Sequence, residues 1–448
     1  MREKHTVQNS IFHFFADHEI GQELLSISNW LDSHPEILDW VEADLQPIPV
    51  TDCGRKGMPV ESVLRCAILK QYRQVSYEEL AFYLMDSYSF QAFARLPLAI
   101  LPKKAVLQRT ISRIREATWE KINHALLGHA QAGGLERGQV IRMDSTATDS
   151  TIHEPSDSSL LWDSVRVLVR LFDQAQEIEG ATPLPYRNHQ RRAKKRMRTI
   201  HYTRGLDKKA ALYQDLIQVT RWTLAYIDPV YQALAGSSVN PTHCALWLAE
   251  VNHYRGLIER VIDQTERRVF QGEKVPAQDK LFSLFEEHTD IIVKGSRDIQ
   301  YGHKLNLMTG QSGLVLDVVI EDGNPADTER FIPMLDRHIQ HYGKAPRQVA
   351  ADGGYASTDN LRQAKEKGVK DVAFHKKKGL KVEDMAKSSW VYRKLRNFRA
   401  GIEAGISYLK RSFGLGRCSW KGLAHFKAYV WASAVTHNLV TLARLKPA

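Results

Sequence analysis

Three acids in this 448-residue chain are placed to hold a divalent metal: Asp144 in Arg-Met-Asp-Ser-Thr, Asp352 in Ala-Asp-Gly-Gly-Tyr, and Glu403 in Gly-Ile-Glu-Ala-Gly. Gln139–Met143 and Gln348–Ala351 read as short strands, so Asp144 and Asp352 are expected at strand C-terminal ends. Such positions line the binding crevice of an open α/β sheet. Gly353 and Gly354 let the backbone turn sharply and approach a ligand after Asp352. Carboxylate oxygens are the hard ligands magnesium prefers. Two such ions roughly 4 Å apart can activate an attacking oxygen and stabilise a leaving one.

Glu403 falls in a helix expected over about Tyr392–Phe413. Arg399, Glu403 and Lys410 are four and seven residues apart. At about 100° per residue they share roughly a 60° arc. Two readings of that face stand. The acid could hold metal while Arg399, as a fork, and Lys410, as a point charge, grip phosphates. The alternative is a surface salt-bridge ladder. Gly401 and Gly405 cost helix stability, which points to a large group packed against this face.

Competing residues are weaker. Asp149, Asp157 and Asp163 follow the first strand in a polar region that reads as turn, its turn-formers running from Ser145 to Ser159, where Asp commonly bonds locally. His153 and Trp420 are read first as structural, and Asp317, Asp322 and Asp327 as strand-end or turn residues.

The elements that must position the acids change character along the chain. Residues 1–130 read as a helical domain: a helix over Ser62–Tyr72, a capping box at Ser76-Tyr-Glu-Glu79 opening the next, and a basic one over Lys104–Leu127. Either DNA contact or a plain bundle accounts for it. Residues 131–160 and 285–440 form the candidate catalytic domain, and 161–284 a helical insert between its first two strands. Tyr301–Met308 and Leu314–Ile320 read as a hairpin, and Val369–Phe374 as the last strand. Strands of antiparallel type followed by alternating αβ units predict an α/β mixed sheet with flanking helices. Within the insert, Arg187–Arg204 holds eight Lys or Arg and no acid. Arg191, Arg192, Lys194, Lys195 and Arg196 are its candidate phosphate contacts, a surface loop being the alternative. A second basic segment begins at Lys376-Lys-Lys378.

The net charge of +11 favours a polyanionic partner, nucleic acid or an anionic membrane. Four cysteines, at 53, 66, 244 and 418, form no CxxC pair, which argues against zinc fingers and a disulfide framework. The N-terminal residues lack the apolar core of a signal peptide, and no run is apolar enough for a membrane span, so a cytoplasmic setting is expected.

Taken in order, Asp144 … Asp352-Gly-Gly-Tyr … Arg399-x3-Glu403-x6-Lys410 resembles the DDE transposases of bacterial insertion sequences. It is most similar to the branch with a Tyr-Arg-Glu-Lys signature, like insertion-sequence families four and five. Gly57-Met-Pro and Ser87–Phe93 resemble that family's N-terminal helical domain. Asp144-Ser-Thr and Ile152–Leu161 resemble its first catalytic block, and Gly302-His-Lys-Leu with Gly323-Asn-Pro-Ala-Asp327 its next strands and turn. The resemblance implies an RNase H-like fold and Mg2+ (or Mn2+) held by Asp144, Asp352 and Glu403. It implies phosphate contacts from Arg399 and Lys410, binding to double-stranded terminal inverted repeats and target DNA, a homodimeric synapse, and a place at the bacterial nucleoid. Water would cut at the element's end, and the 3′-hydroxyl released would attack target DNA in line. Two departures stand out: Arg396 occupies the signature's Tyr position, with Tyr392 and Phe398 nearby, and the insert lies between the first two strands. The rival readings are a nuclease without strand transfer and a transposase-derived, non-catalytic DNA-binding protein.

Overall fold

The structure is a computed structural model and describes residues 4, 18–46, 57–96, 101–180, 182–236, 240–294, 298–375 and 379–445. Cys53 and Lys376–Lys378 lie outside the described residues. The chain forms two compact units, one of Met1–Thr151 with Gly302–Ala448, the other of Ile152–Tyr301.

The first unit opens with helices α1 (Glu19–Asp32), α2 (Glu36–Leu45), α3 (Val60–Arg73), α4 (Tyr77–Asp86), α5 (Tyr88–Phe93), α6 (Lys104–Ile111) and α7 (Glu116–Ala132). Ser76 and Glu79 form the expected capping box at α4, each side chain meeting the other's backbone N–H. The helix expected over Lys104–Leu127 is two, because Ser112–Arg115 break it and Arg115 is extended ahead of α7.

Strand β1 (Val140–Asp149) follows. The second unit then supplies α8 (Asp157–Glu179), α9 (Gln190–Tyr202), α10 (Leu206–Leu224), α11 (Ile227–Ala235), α12 (Pro241–Val269) and β2 (Asp290–Lys294). Strand β3 (Asp298–Gly310) crosses the boundary between the units. After it come β4 (Val315–Ile320), α13 (Phe331–Tyr342), β5 (Gln348–Ala351), α14 (Thr358–Glu366), β6 (Asp371–Phe374), α15 (Val382–Met385), α16 (Ser389–Ser412) and α17 (Leu423–Arg444).

The sheet runs β2-β3-β1-β5-β6, with β4 also on β3. Strand β3 is antiparallel to β1 and to β4, whereas β1, β5 and β6 run parallel. β1 is therefore interior. β5 and β6 read as short continuous apolar runs because both of their faces are covered; Val349, Ala350, Ala351, Val372, Ala373 and Phe374 are all buried.

One expectation is corrected here. β1 does not end at Asp144, and Ser145–Asp149 are not a turn. They continue the strand because β3 is long enough to pair with them, from Ser145 opposite Asn306 to Asp149 opposite Gly302. Polar residues in a strand pass for a turn when the partner is more than 150 residues away in sequence.

Alternation along the strands divides the core. Leu305 and Leu307 pack with α1–α7 and α17, whereas Met308, Ile141 and Met143 pack with α13 and α14. A buried polar knot ties α7 and α17 to the sheet. The Asn438 amide donates to Asn123 Oδ1 (2.7 Å) and to the Val315 carbonyl (2.8 Å), and accepts from the Val315 N–H (2.8 Å). Every group in it is paired, which makes it specifying rather than costly.

In the second unit, Leu161, Val165, Leu168 and Phe172 of α8 pack with Ala193 and Ile200 of α9, Leu216 and Val219 of α10, and Trp247 and Val251 of α12. The basic stretch is thus a helix, α9, rather than a loop. Its two buried residues, Ala193 and Ile200, are seven apart and anchor one face.

The β1–β3 pairing leaves no room beside Gly302, where an added Cβ would lie 1.9 Å from the Thr148 carbonyl oxygen. Gly302→Ala should destabilise the protein by about 1–3 kcal/mol through forced separation of the strands. Denaturant unfolding measures this, and an unchanged midpoint would contradict the close approach.

Candidate active site

Asp144 and Arg142 are two residues apart on β1 and so face the same side, toward α16. Arg142 sets the register between strand and helix. Its Nε donates to Thr309 Oγ1 (2.8 Å), its Nη1 donates to the Phe398 carbonyl (2.9 Å), and its guanidinium lies 4.7 Å from the Phe398 ring centroid. Gly401 is what permits this, since an added Cβ would be 2.3 Å from Arg142 Nη1. The group packed against this glycine is therefore an arginine of the central strand. Gly405 has nothing within 4 Å, and the structure offers no packing reason for it.

With that register fixed, the three acids converge on one side chain. Arg399 Nη2 is 2.9 Å from Asp144 Oδ2 and 2.9 Å from Asp352 Oδ1, and Nη1 is 2.7 Å from Glu403 Oε1. Arg399 and Asp144 are buried, with side chains 8% and 12% exposed, while Glu403 is 65% exposed and opens the cluster to solvent. The Ser145 N–H donates to Asp144 Oδ1 (2.8 Å), fixing that carboxylate from behind. Asp352 caps a short 3-10 turn over Gly353–Tyr355, accepting from the Gly354 N–H.

Sequence reasoning had placed Arg399 beside the acid as an outward phosphate contact. In the structure its guanidinium points inward and is the cation the three acids share. Lys410 lies about three turns beyond Arg399 on α16, near Asp149 at the far end of β1. Burial pushes the Asp149 carboxyl up, and Lys410 and Arg417 oppose this. Among the described residues no group of three acids, histidines or cysteines stands ready to hold a metal. The physical reason is that Arg399 holds the centre of the cluster. Three carboxylates from three elements, oxygen donors of the hard kind a divalent ion takes, surround that one positive group.

Asp327, read from sequence as a turn residue, lies at the edge of this site. It pairs with Lys304 (2.6 Å) and accepts from Ser145 Oγ (3.3 Å). Gly354 must be glycine here, because an added Cβ would be 2.4 Å from Asp327 Oδ2. The one sequence signal was its place in the Gly323–Asp327 turn. Tyr355 lies below. Burial, then the charges of Asp327, Asp144, Asp352 and Glu321, push its hydroxyl well up, so it stays a donor, to Asn306 Oδ1.

The other candidates lie elsewhere. Asp157 pairs with Arg268 (2.9 Å), and Asp163 with His153 (2.8 Å) and Arg166 (2.8 Å), all within the second unit. Trp420 packs in the core against Tyr429 and Tyr77. Of the two aromatics near Arg396, Tyr392 is buried and donates to the Phe374 carbonyl (2.9 Å), and Phe398 lies under Arg142. On α9, Arg192 and Arg196 both bind Asp215 of α10, whereas Arg191, Lys194 and Lys195 are exposed. Cys66, Cys244 and Cys418 are buried thiols. No helix among the described residues is long and apolar enough to cross a membrane.

A six-stranded mixed sheet with flanking helices and a carboxylate cluster from β1, the turn after β5 and α16 is an RNase H-like domain. Residues 294–439 match the family described as Transposase DDE domain, and residues 20–117 that described as Transposase domain (DUF772). Together these spans take in more than half of the chain, and the chain belongs to the DDE transposases of insertion sequences. Asp352, Arg399, Glu403 and Lys410 fall inside the first matched span, and Asp144 lies outside it. No curated protein and no solved structure matches the chain.

Removing the shared cation leaves acids facing one another in a partly buried site. Arg399→Ala should cost the metal-free protein about 3 kcal/mol, and added Mg2+ should restore part of it. Thermal unfolding with EDTA or Mg2+ checks both. Unchanged stability in EDTA would mean the guanidinium does not hold the acids together.

Proposed function

We propose that this transposase cuts and joins DNA at the terminal inverted repeats of its element through divalent metal held by Asp144, Asp352 and Glu403. The observation that carries this reading is the convergence of the three carboxylates on the Arg399 guanidinium. A buried cation held by three acids marks a place built for positive charge. Magnesium, or manganese in its place, would supply Lewis-acid activation of the attacking and leaving oxygens.

The chain's own residues do the positioning. Ser145 N–H and the 3-10 turn after Asp352 fix two carboxylates on rigid strands. Glu403, exposed on α16, is the ligand most open to substrate. Arg399 exchanges its acid partners for a phosphate of the cleaved end when the acids take metal, and Lys410 adds a second phosphate contact from the same helix. The reaction then proceeds without a covalent enzyme intermediate, as in-line attack by water and later by the 3′-hydroxyl.

In this reading residues 1–130 contact the terminal repeats. Residues 131–160 with 285–440 carry catalysis, and the helical insert 161–284 engages DNA through Arg191, Lys194 and Lys195. Arg192 and Arg196 instead hold α9 in place through Asp215. Two copies act together in the synapse, at the nucleoid in the cytoplasm.

The deciding experiment is nicking of a labelled duplex bearing the element's own terminal repeat, with and without Mg2+. Wild type should nick at the repeat boundary only with metal, and Glu403→Gln should not. Asp352→Asn should likewise abolish cleavage while leaving end binding within a fewfold. Binding without cleavage by wild type would overturn the catalytic reading in favour of a DNA-binding protein. Lys410→Ala should flatten the salt dependence of end binding by about one charge, and an unaltered slope would remove Lys410 from the phosphate contacts.

A further inference from the structure

The second unit carries a cleft that neither family match covers, both matched spans lying outside residues 118–293. The cleft measures about 830 Å3 and is formed by α9, the segment before it, and the end of α10. Cations and aromatic rings alternate around it. Arg187, Arg191 and Lys195 line it, and none has a carboxylate partner among the described residues. Asp215 of α10 is already taken by Arg192 and Arg196.

The floor is aromatic. His189 lies between Trp222, at 6.1 Å between centroids, and Tyr226, at 5.9 Å and 12° from parallel. Trp222 is 39% exposed, and the Arg192 guanidinium sits 5.1 Å from its ring centroid. Burial, then the charges of Arg187 and Arg192, lower the His189 pKa, so at neutral pH this ring is uncharged and stacks as a neutral surface.

A duplex needs only the cations, because its bases are already stacked on each other. An acidic peptide also needs only the cations. An exposed Trp222 ring beside the half-buried, stacked pair His189 and Tyr226, next to arginines and a lysine without carboxylate partners among the described residues, fits a base and its flanking phosphates together. We propose that this cleft binds an unpaired stretch of DNA, with a base on Trp222 and His189 and phosphates on Arg187, Arg191 and Lys195. The choice of DNA as the polymer rests on the transposase reading. The stacking and charge argument stands on the cleft alone.

The test is fluorescence anisotropy of full-length protein in EDTA, where cleavage does not enter. The probes are labelled oligo(dT) of twelve nucleotides, a blunt duplex of the same length, and poly-glutamate as competitor. Trp222→Ala should weaken oligo(dT) binding about tenfold and duplex binding less than twofold, while Trp222→Phe, which keeps a ring, should retain most of the affinity. Arg191→Ala should lower the salt slope for oligo(dT) by about 0.7. Equal loss on both DNA probes for Trp222→Ala, or no loss on oligo(dT), would overturn the proposal. So would competition by poly-glutamate as effective as by unlabelled oligo(dT), which would make the cleft a general polyanion site. If wild type binds oligo(dT) as expected yet fails to nick its terminal repeat, the catalytic reading falls and this one survives.

Discussion

Four charged side chains at one point organise the catalytic half of this protein. Arg399 is buried and shared by Asp144, Asp352 and Glu403, which come from β1, the turn after β5, and α16. Coulomb attraction is strong between the buried Arg399 and Asp144, and leaving either of them unpaired is costly, whereas solvent screens the exposed Glu403. The cluster therefore ties two strands and a helix together by the same groups proposed for catalysis. Its cost is that an arginine stands where a metal would stand, so the arrangement that stabilises the metal-free fold differs from the one that would do chemistry.

That cluster depends in turn on how α16 lies across the sheet. Arg142 reaches from the central strand to the Phe398 carbonyl, and Gly401 makes the space it needs. A longer side chain at 401 would displace the Arg142 guanidinium from its bond to the Phe398 carbonyl. The polar knot of Asn123, Asn438 and Val315 does the corresponding work for α7 and α17. The N-terminal helices and the catalytic sheet thereby share one compact unit, and Leu305 and Leu307 of β3 belong to the same core as α1–α7.

The second unit uses its charge differently. α9 carries six Lys or Arg and no acid, yet two of them are spent on Asp215. That pairing sorts a uniformly basic helix into a face that holds the fold and a face that stays available. The exposed Trp222 beside it shows that the available face is not only charge.

Much of this was legible in the sequence, for reasons local to the chain. The capping box at Ser76, the alternation of β3 and β4, the apolar runs of β5 and β6, and the helix under Glu403 are set by side-chain periodicity and short-range hydrogen bonding, which neighbours in sequence determine. The three acids were singled out as candidates by residue type and by expected places on strands and a helix, although Asp144 turns out to lie within β1 rather than at its end. The remainder was decided by partners distant in sequence. β1 runs past Asp144 because β3 pairs with it across more than 150 intervening residues. Arg399 turns inward because two carboxylates from other strands outcompete solvent for its guanidinium. Asp327 joins the site because the glycine at 354 lets its carboxylate approach. Local periodicity determines which face of an element a residue occupies, but the charge that residue meets on that face is fixed only when the tertiary fold brings the other elements to it.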